Sequence, residues 1–417
     1  MSKIDFQTFS LENGLRVVVH EDHSIGKVVV DVLYRVGARN EDEERTGFAH
    51  LFEHLMFGGS KNISDYDTQL QKVGGENNAF TTNDLTNYYL TLPTNQLETG
   101  FWLESDRMLE LDFSQKSLDV QKSVVIEEFK QRYLNRPYGD AHLELRSVHF
   151  QKHPYRWPTI GKDISHIERA TLEDVKDFFY GFYAPNNATL VVAGNVTMDQ
   201  ARRLAEKWFG PIPSRTLKHK PLPVEPVQTE ARQKTVYRKI PHAAVYKMFH
   251  IPSKTERGYF AADFITDLMS GGKAGHLYQA MVKEKQVATN IRAFSWGAHD
   301  PGMVSIDGTL AEGKTIEEYE AALQEVINSF SSVSDSEVQR VKNSIESQYT
   351  MERTTVLNKA MILAMSDALG DIHLANSSMD KYLSLTPDDI STAAQTYFTP
   401  ENCSTLYYLP EHGKSQA

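Results

Sequence analysis

The chain has little cysteine, no long apolar run and a shortage of positive charge, and each absence narrows what it can be. One cysteine in 417 residues, Cys403, excludes an internal disulfide framework. No segment approaches the roughly 18 uninterrupted apolar residues of a membrane span, so none is expected. Forty-four Lys and Arg against 55 Asp and Glu give a formal charge of -11. That balance argues against a general nucleic-acid or anionic-membrane binder, since both reward positive surface. The N-terminus, "MSKIDFQTFSLENGLRVVVHED", lacks a basic segment followed by an apolar run. The expectation is therefore no signal peptide and a cytoplasmic location. With 40% hydrophobic and 24% charged residues the composition is that of a globular protein.

What is present is a repeat. "LMFGGS" at 55–60 recurs as "LMSGGK" at 268–273, an offset of 213. Thr171, Asp174, Pro185 and Asn187 recur as Thr386, Asp389, Pro400 and Asn402, an offset of 215. Two separated matches at nearly one offset predict a duplicated unit. The stretch "GPIPSRTLKHKPLPVEPVQTEARQ" holds five of the 16 prolines and reads as a linker. The expected organisation is a domain over 1–212, a linker over 213–233 and a homologous domain over 234–417. Each half opens on two strand-like runs, "LRVVVHE" and "KVVVDVLYRVG" or "KTVYRKI" and "AVYKMFHI". An amphipathic helix follows, and a last strand closes the half, "ATLVVAG" or "STLYYLP". The fold class expected is α+β: two homologous domains, each an antiparallel-rich sheet with helices packed on one face.

The chemistry is concentrated in "GFAHLFEHLMFGGS", 47–60. On a helix, His50 and His54 at i, i+4 leave one face a turn apart, the spacing at which two imidazoles reach one tetrahedral zinc. Glu53 lies between them in angle, within reach of a water at the metal. H-x-x-E-H is the inverted form of the usual zinc-protease signature. Two ligands hold a catalytic zinc poorly, so a third is needed, with one position left open. In "SLDVQKSVVIEEFKQRY", 117–133, Leu118, Val125, Phe129 and Tyr133 form an apolar stripe. Glu128 flanks that stripe, whereas Glu127 points to solvent, so Glu128 is the better ligand candidate. "GGENNAFTT", from Gly74, reads as a loop entering an edge strand. Nine further histidines between His20 and His250, His142 among them, read as surface or structural residues. The acidic run "NEDEER", 40–45, reads as a solvated approach to the first helix.

These motifs resemble the pitrilysin (insulysin, mitochondrial processing peptidase) family of inverted-motif zinc peptidases. The likeness runs through "FSLENGLRVVV", "GGENNAFTTNDLTNYYLTL", "HPYRWPTIGK" and "YAPNNATLVVAGNV", nearly the whole chain. The length is similar to that of the family's short bacterial branch, whose members pair into a clamshell around a peptide. The resemblance implies one zinc per chain held by His50, His54 and Glu128, with Glu53 as general base in peptide-bond hydrolysis. It also implies that Asn78, Ala79 and Phe80 belong to a strand edge that pairs with an extended peptide.

Two departures from the family pattern stand out. Gln121 occupies the position, two turns before Glu128, where the family usually has a supporting glutamate. Asp263, Thr266 and Asp267 replace the second half's counterparts of His50, Glu53 and His54, so that half has no zinc site of its own. Where relatives carry an Arg and a Tyr that point at substrate, this chain has Val282 and Thr289, with Arg292 out of register. The implied assembly is a dimer, either with itself or with a homologous chain that supplies the Arg–Tyr pair. The expected function is a zinc endopeptidase acting on peptides or unfolded segments. The rival is a non-catalytic assembly subunit or peptide-binding module of the same fold.

Overall fold

Lys27–Tyr34 and Ala188–Gly194 are nearly continuous apolar runs, and every residue of both after Lys27 is buried. Strands of that kind need cover on both faces of their sheet. The computed structural model of the chain, which describes residues 3–411, shows where the cover comes from. The chain divides into two compact units. Met1–Lys130, Trp157–Pro223 and Tyr349–Ser377 form the first; Gln131–Arg156, Val224–Gln348 and Ser378–Ala417 form the second.

The first unit holds β1 (Gln7–Ser10), β2 (Arg16–Glu21), β3 (Lys27–Tyr34), β4 (Glu76–Thr81), β5 (Thr86–Pro93) and β6 (Ala188–Gly194). They lie in the order β1-β2-β6-β3-β5-β4, with β2 and β6 parallel and the other pairs antiparallel. Two of its helices, α1 (Phe48–Leu55) and α2 (Gln115–Phe129), pack on each other, and α1 also packs beside β4. The second unit holds β7 (Arg232–Arg238), β8 (Ala244–Ile251), β9 (Ala288–Trp296), β10 (Gly302–Leu310) and β11 (Cys403–Pro410), in the order β7-β11-β8-β10-β9. Only β7 and β11 run parallel. The paths β2-β6-β3-β5-β4 and β7-β11-β8-β10-β9 are the same path, with the parallel pair in the same place. The fold is thus α+β, with two related sheets that end on the edge strands β4 and β9.

In the second unit, α3 (Ala141–His149) lies on β7, β8 and β11. Its Ala141 and Leu145 share a core with Ala244, Tyr246, Met248 and Leu406. The opposite face takes α4 (Arg257–Ser270), with Val245, Phe249 and Val304. In the first unit, α5 (Val356–Ala368) covers β2, β3 and β6 through Ala360, Leu363 and Ala364. Each half therefore sends one helix to the unit of the other half's sheet. The first sheet falls within 1–212, the second starts at Arg232, two residues inside the expected linker, and the compact units do not follow those boundaries. The physical reason is that each sheet has a second apolar face to bury, at about 1.5–3 kcal/mol for each large aliphatic side chain covered.

Residues 213–230 form no helix or strand. Arg215 is tied into the first unit by the carbonyls of Tyr183 and Leu109. Glu225 belongs to the second, where it accepts N–H groups of Gln151, Lys152 and His153. Among the described residues, no helix is long and apolar enough to cross a membrane.

Candidate metal centre

Helix α1 is fixed at its entry by two features. Gly47, its N-cap, has φ 88°, a left-handed conformation that favours glycine. A Cβ there would also meet the Ile160 carbonyl at 2.6 Å. Glu41 then accepts the N–H groups of Gly47 at 2.9 Å and Ala49 at 2.8 Å. Glu41 is buried, so the acidic run is not wholly solvated. Its first carboxylate closes the helix N-terminus, where orphan N–H groups attract an acceptor. Burial pushes that carboxyl up to about 8, against the pull of the same N–H groups.

Phe48, Ala49, Leu51, Phe52 and Leu55 bury the body of α1. The Phe52 ring stacks at 5.2 Å on Tyr183. This packing leaves His50 buried and Glu53 and His54 half-buried on the remaining face. Beyond the helix, Gly58 lies where a Cβ would meet Ser117 Oγ at 2.6 Å, so α1 and α2 approach closely. Helix α2 is capped by Ser114, which accepts Ser117 N–H. It buries Leu118, Val125 and Phe129. Glu127 is exposed and pairs with Lys130; Glu128 is half-buried and faces α1.

The structure brings His50, His54 and Glu128 together. Their ligand atoms all lie within 4.8 Å of one another. Glu128 Oε2 is 3.7 Å from His50 Nε2 and 3.4 Å from His54 Nε2. The imidazole rings are 4.8 Å apart and nearly perpendicular, at 78°. Zinc–ligand bonds of about 2.0–2.2 Å at tetrahedral angles put neighbouring donors roughly 3.3–3.5 Å apart. The His54–Glu128 separation meets that requirement and the His50–Glu128 separation is slightly longer, and two imidazoles with one carboxylate are donor types that zinc accepts. Among the described residues, no second group of three such side chains converges in this way.

Glu53 is held by a residue the sequence reading missed. Thr81 Oγ1 donates to Glu53 Oε2 at 2.6 Å. Thr81 ends β4, whose other sheet edge is unpaired by any described strand. The available signal was period-2 alternation, which places Thr81 on the same side of β4 as Ala79. Asn78 is exposed, while Ala79 and Phe80 are half-buried. The Phe80 side chain packs, partly buried, on the core that α5 closes. Gln121 is half-buried on α2 and makes no side-chain hydrogen bond to a described residue. Burial holds the Tyr88 phenol far above its ordinary range, with Tyr183 and Glu53 adding to the effect.

The counterpart helix α4 is built differently. Asp263 accepts Tyr382 OH at 2.5 Å and the Ser295 hydroxyl, and Thr266 Oγ1 donates to the Asp263 carbonyl at 2.7 Å. Burial raises the Asp267 carboxyl to about 6, with the Asp263 charge adding to the rise. Val282 lies partly buried against the second unit's core. Thr289 is exposed on β9, where its hydroxyl donates to the Thr309 carbonyl at 3.3 Å.

Comparison with known proteins agrees with this arrangement of the two halves. Residues 16–162 match the family model described as Insulinase (Peptidase family M16). Residues 169–345 match the one described as Peptidase M16 inactive domain. The zinc protease PqqE of Helicobacter pylori is 26% identical over 415 residues, covering 97% of this chain and 93% of that protein. The crystal structure of a protease from Helicobacter pylori superposes with a TM-score of 0.91 at 25% identity, over 97% of this chain and 100% of that one. The periplasmic protease PqqL of Escherichia coli shares the fold, with a TM-score of 0.78 at 16% identity. There, 98% of this chain covers 48% of the other.

Proposed function

Because the chain belongs to the insulinase (M16) family of peptidases, we propose that it is a zinc-dependent endopeptidase acting at the α1–α2 site. His50, His54 and Glu128 would hold one zinc ion, and the observation that carries this reading is their convergence. When bound, zinc supplies Lewis acidity toward water and the scissile carbonyl. Glu53, one turn along from His50, accepts a proton from the attacking water and returns it to the leaving amine. Thr81 fixes the Glu53 carboxylate through its hydroxyl. The open edge of β4 pairs main chain to main chain with an extended peptide, which gives affinity with little dependence on sequence. Folded proteins offer few such extended segments, so peptides and unfolded stretches are the substrates.

The working enzyme is a pair of chains in which this one is the catalytic member. Val282 and Thr289 stand where donors to the substrate are expected, and the similarity of this chain to about half of PqqL supports a partner of similar size. Metal analysis and cleavage of an internally quenched peptide test the reading together. One zinc per chain is expected, with cleavage falling about 10²–10⁴-fold in Glu53→Gln while zinc is retained. Zinc without cleavage, even with a homologous chain added, would favour a non-catalytic subunit.

A further inference from the structure

On the face of the second sheet that α3 covers, the cover stops short of the edge. α3 packs on β7, β11 and β8, and the strands beyond it, β10 and β9, carry Asp307, Arg292, Phe294 and Trp296 on the same side. The register sets Asp307 opposite both Tyr246 on β8 and Arg292 on β9, and residues two apart along a strand share a face. His142, in the first turn of α3, meets this border. Its Nε2 lies 2.9 Å from Asp307 Oδ2. Arg292 Nη2 donates to the same oxygen at 3.1 Å, and Ser305 Oγ donates to Asp307 Oδ1 at 2.7 Å.

Burial differs sharply within this cluster. The Asp307 side chain is 8% exposed, whereas His142 is 31% and Arg292 66% exposed. Burial works to raise the Asp307 carboxyl, but the hydrogen bonds and charges of His142, Ser305 and Arg292 outweigh it and hold the group below its ordinary value. Asp307 is therefore a standing anion that anchors two side chains at the border of the covered face. A guanidinium serving only to neutralise it would grip both oxygens with its fork. Here Ser305 takes one oxygen and His142 shares the other, so Arg292 spends a single contact. Its guanidinium carbon sits 5.1 Å from the Phe294 ring centroid. The half-buried Trp296 extends the stripe, with the Arg146 guanidinium 4.9 Å from its ring.

We propose that Arg292, with His142 beside it, binds the carboxylate of a peptide whose neighbouring apolar side chain rests on Phe294 and Trp296. That the ligand is a peptide rests on the peptidase reading; that it carries a carboxylate rests on this cluster. The planar fork of arginine matches the paired oxygens of a carboxylate, the anionic group a peptide carries at its C-terminus and on its acidic side chains. The carboxylate is supplied by the C-terminus or by an acidic side chain, which share this chemistry.

Binding measured by fluorescence anisotropy tests the site, using the zinc-loaded full chain with Glu53→Gln so that peptides persist. One labelled peptide is compared as free acid, as C-terminal amide ending in Gln, and as amide ending in Glu. A carboxylate form is expected to bind roughly tenfold more tightly than the Gln amide. Arg292→Gln should abolish that difference and leave the amide's affinity unchanged. The Glu amide shows whether a side-chain carboxylate serves as well as a terminal one. Equal affinity of all three peptides, or a preference that survives Arg292→Gln, would overturn the site. The quenched-peptide assay on the unsubstituted chain keeps the two readings apart. Cleavage without a carboxylate preference removes this site and leaves the peptidase; a preference without cleavage does the reverse.

Discussion

Helices α1 and α4 occupy the same place in the same strand path, and each receives a hydroxyl from the edge strand beside it. In the first half Thr81 reaches Glu53; in the second Ser295 reaches Asp263. The difference lies in what surrounds the polar residues. Around α1, two imidazoles and the Glu128 carboxylate converge with their ligand atoms toward one point. Around α4, the Asp263 oxygens are taken by Tyr382 and Ser295. A carboxylate whose lone pairs are occupied by internal donors has little left for a cation. The fold thus tolerates either solution, and the chemistry is decided by a handful of side chains on an unchanged frame.

The most direct way to break this comparison is to write the α4 pattern into α1. His50→Asp with His54→Asp is expected to abolish zinc binding and to reduce peptide cleavage to background, a loss of at least about 10³-fold. Metal analysis and a thermal melt on the same sample check it, the melt showing that the variant still folds. A double variant that keeps one equivalent of zinc would mean that the three converging side chains are not the ligands.

A smaller effect sharpens the role of the edge-strand hydroxyl. Thr81→Val keeps the shape of the side chain and removes the donor to Glu53. A hydrogen bond to a charged group is worth about 1.5–3 kcal/mol, so kcat should fall roughly ten- to a hundredfold. Zinc content and KM should stay unchanged, because the substitution leaves the three ligands and the main chain of β4 in place. Thr81→Ser should restore most of the rate. If Thr81→Val cleaves as fast as the wild type, the hydrogen bond is incidental to the reaction.

Much of this was legible in the sequence because it is local. The i, i+4 spacing of His50 and His54 needs only helical geometry, and the side of α2 that carries Glu128 follows from Leu118, Val125 and Phe129. The repeat offsets mark two related halves, and the shared strand path is their structural form. What was not legible depends on partners distant in sequence. The apolar faces of α3 and α5 announce burial but not which sheet provides it. Glu41 sits in an acidic run that reads as solvated, and only the fold turns it back onto the N–H groups of Gly47 and Ala49 in a buried position. Thr81 looks like any strand threonine until α1 is placed beside β4. His142 stands between Asp140 and Glu144 in sequence, yet its partner is Asp307, which reaches it only across the second sheet.

The smallest effect concerns the α4 side of the comparison alone. Asp267, the counterpart of His54, has its carboxyl raised by burial, and further by the Asp263 charge, to about 6, against about 3.9 in an unfolded chain. Between those values the folded state binds more protons than the unfolded one, so this group's contribution to stability is complete below about pH 4 and is lost as pH rises through about 6. Asp267→Asn removes the titration while keeping the side chain's size. The variant should therefore gain stability at pH 7 relative to wild type, by about 1 kcal/mol after discounting for a partly exposed position, and gain little or nothing at pH 4. Urea denaturation of both proteins at the two pH values reads the difference directly. The same change should leave zinc content and cleavage untouched, because Asp267 belongs to the half that does not carry the converging His50, His54 and Glu128. A gain at pH 4 equal to that at pH 7 would show that Asp267 is charged throughout, and that α4 carries its acidic pair without the cost that burial implies.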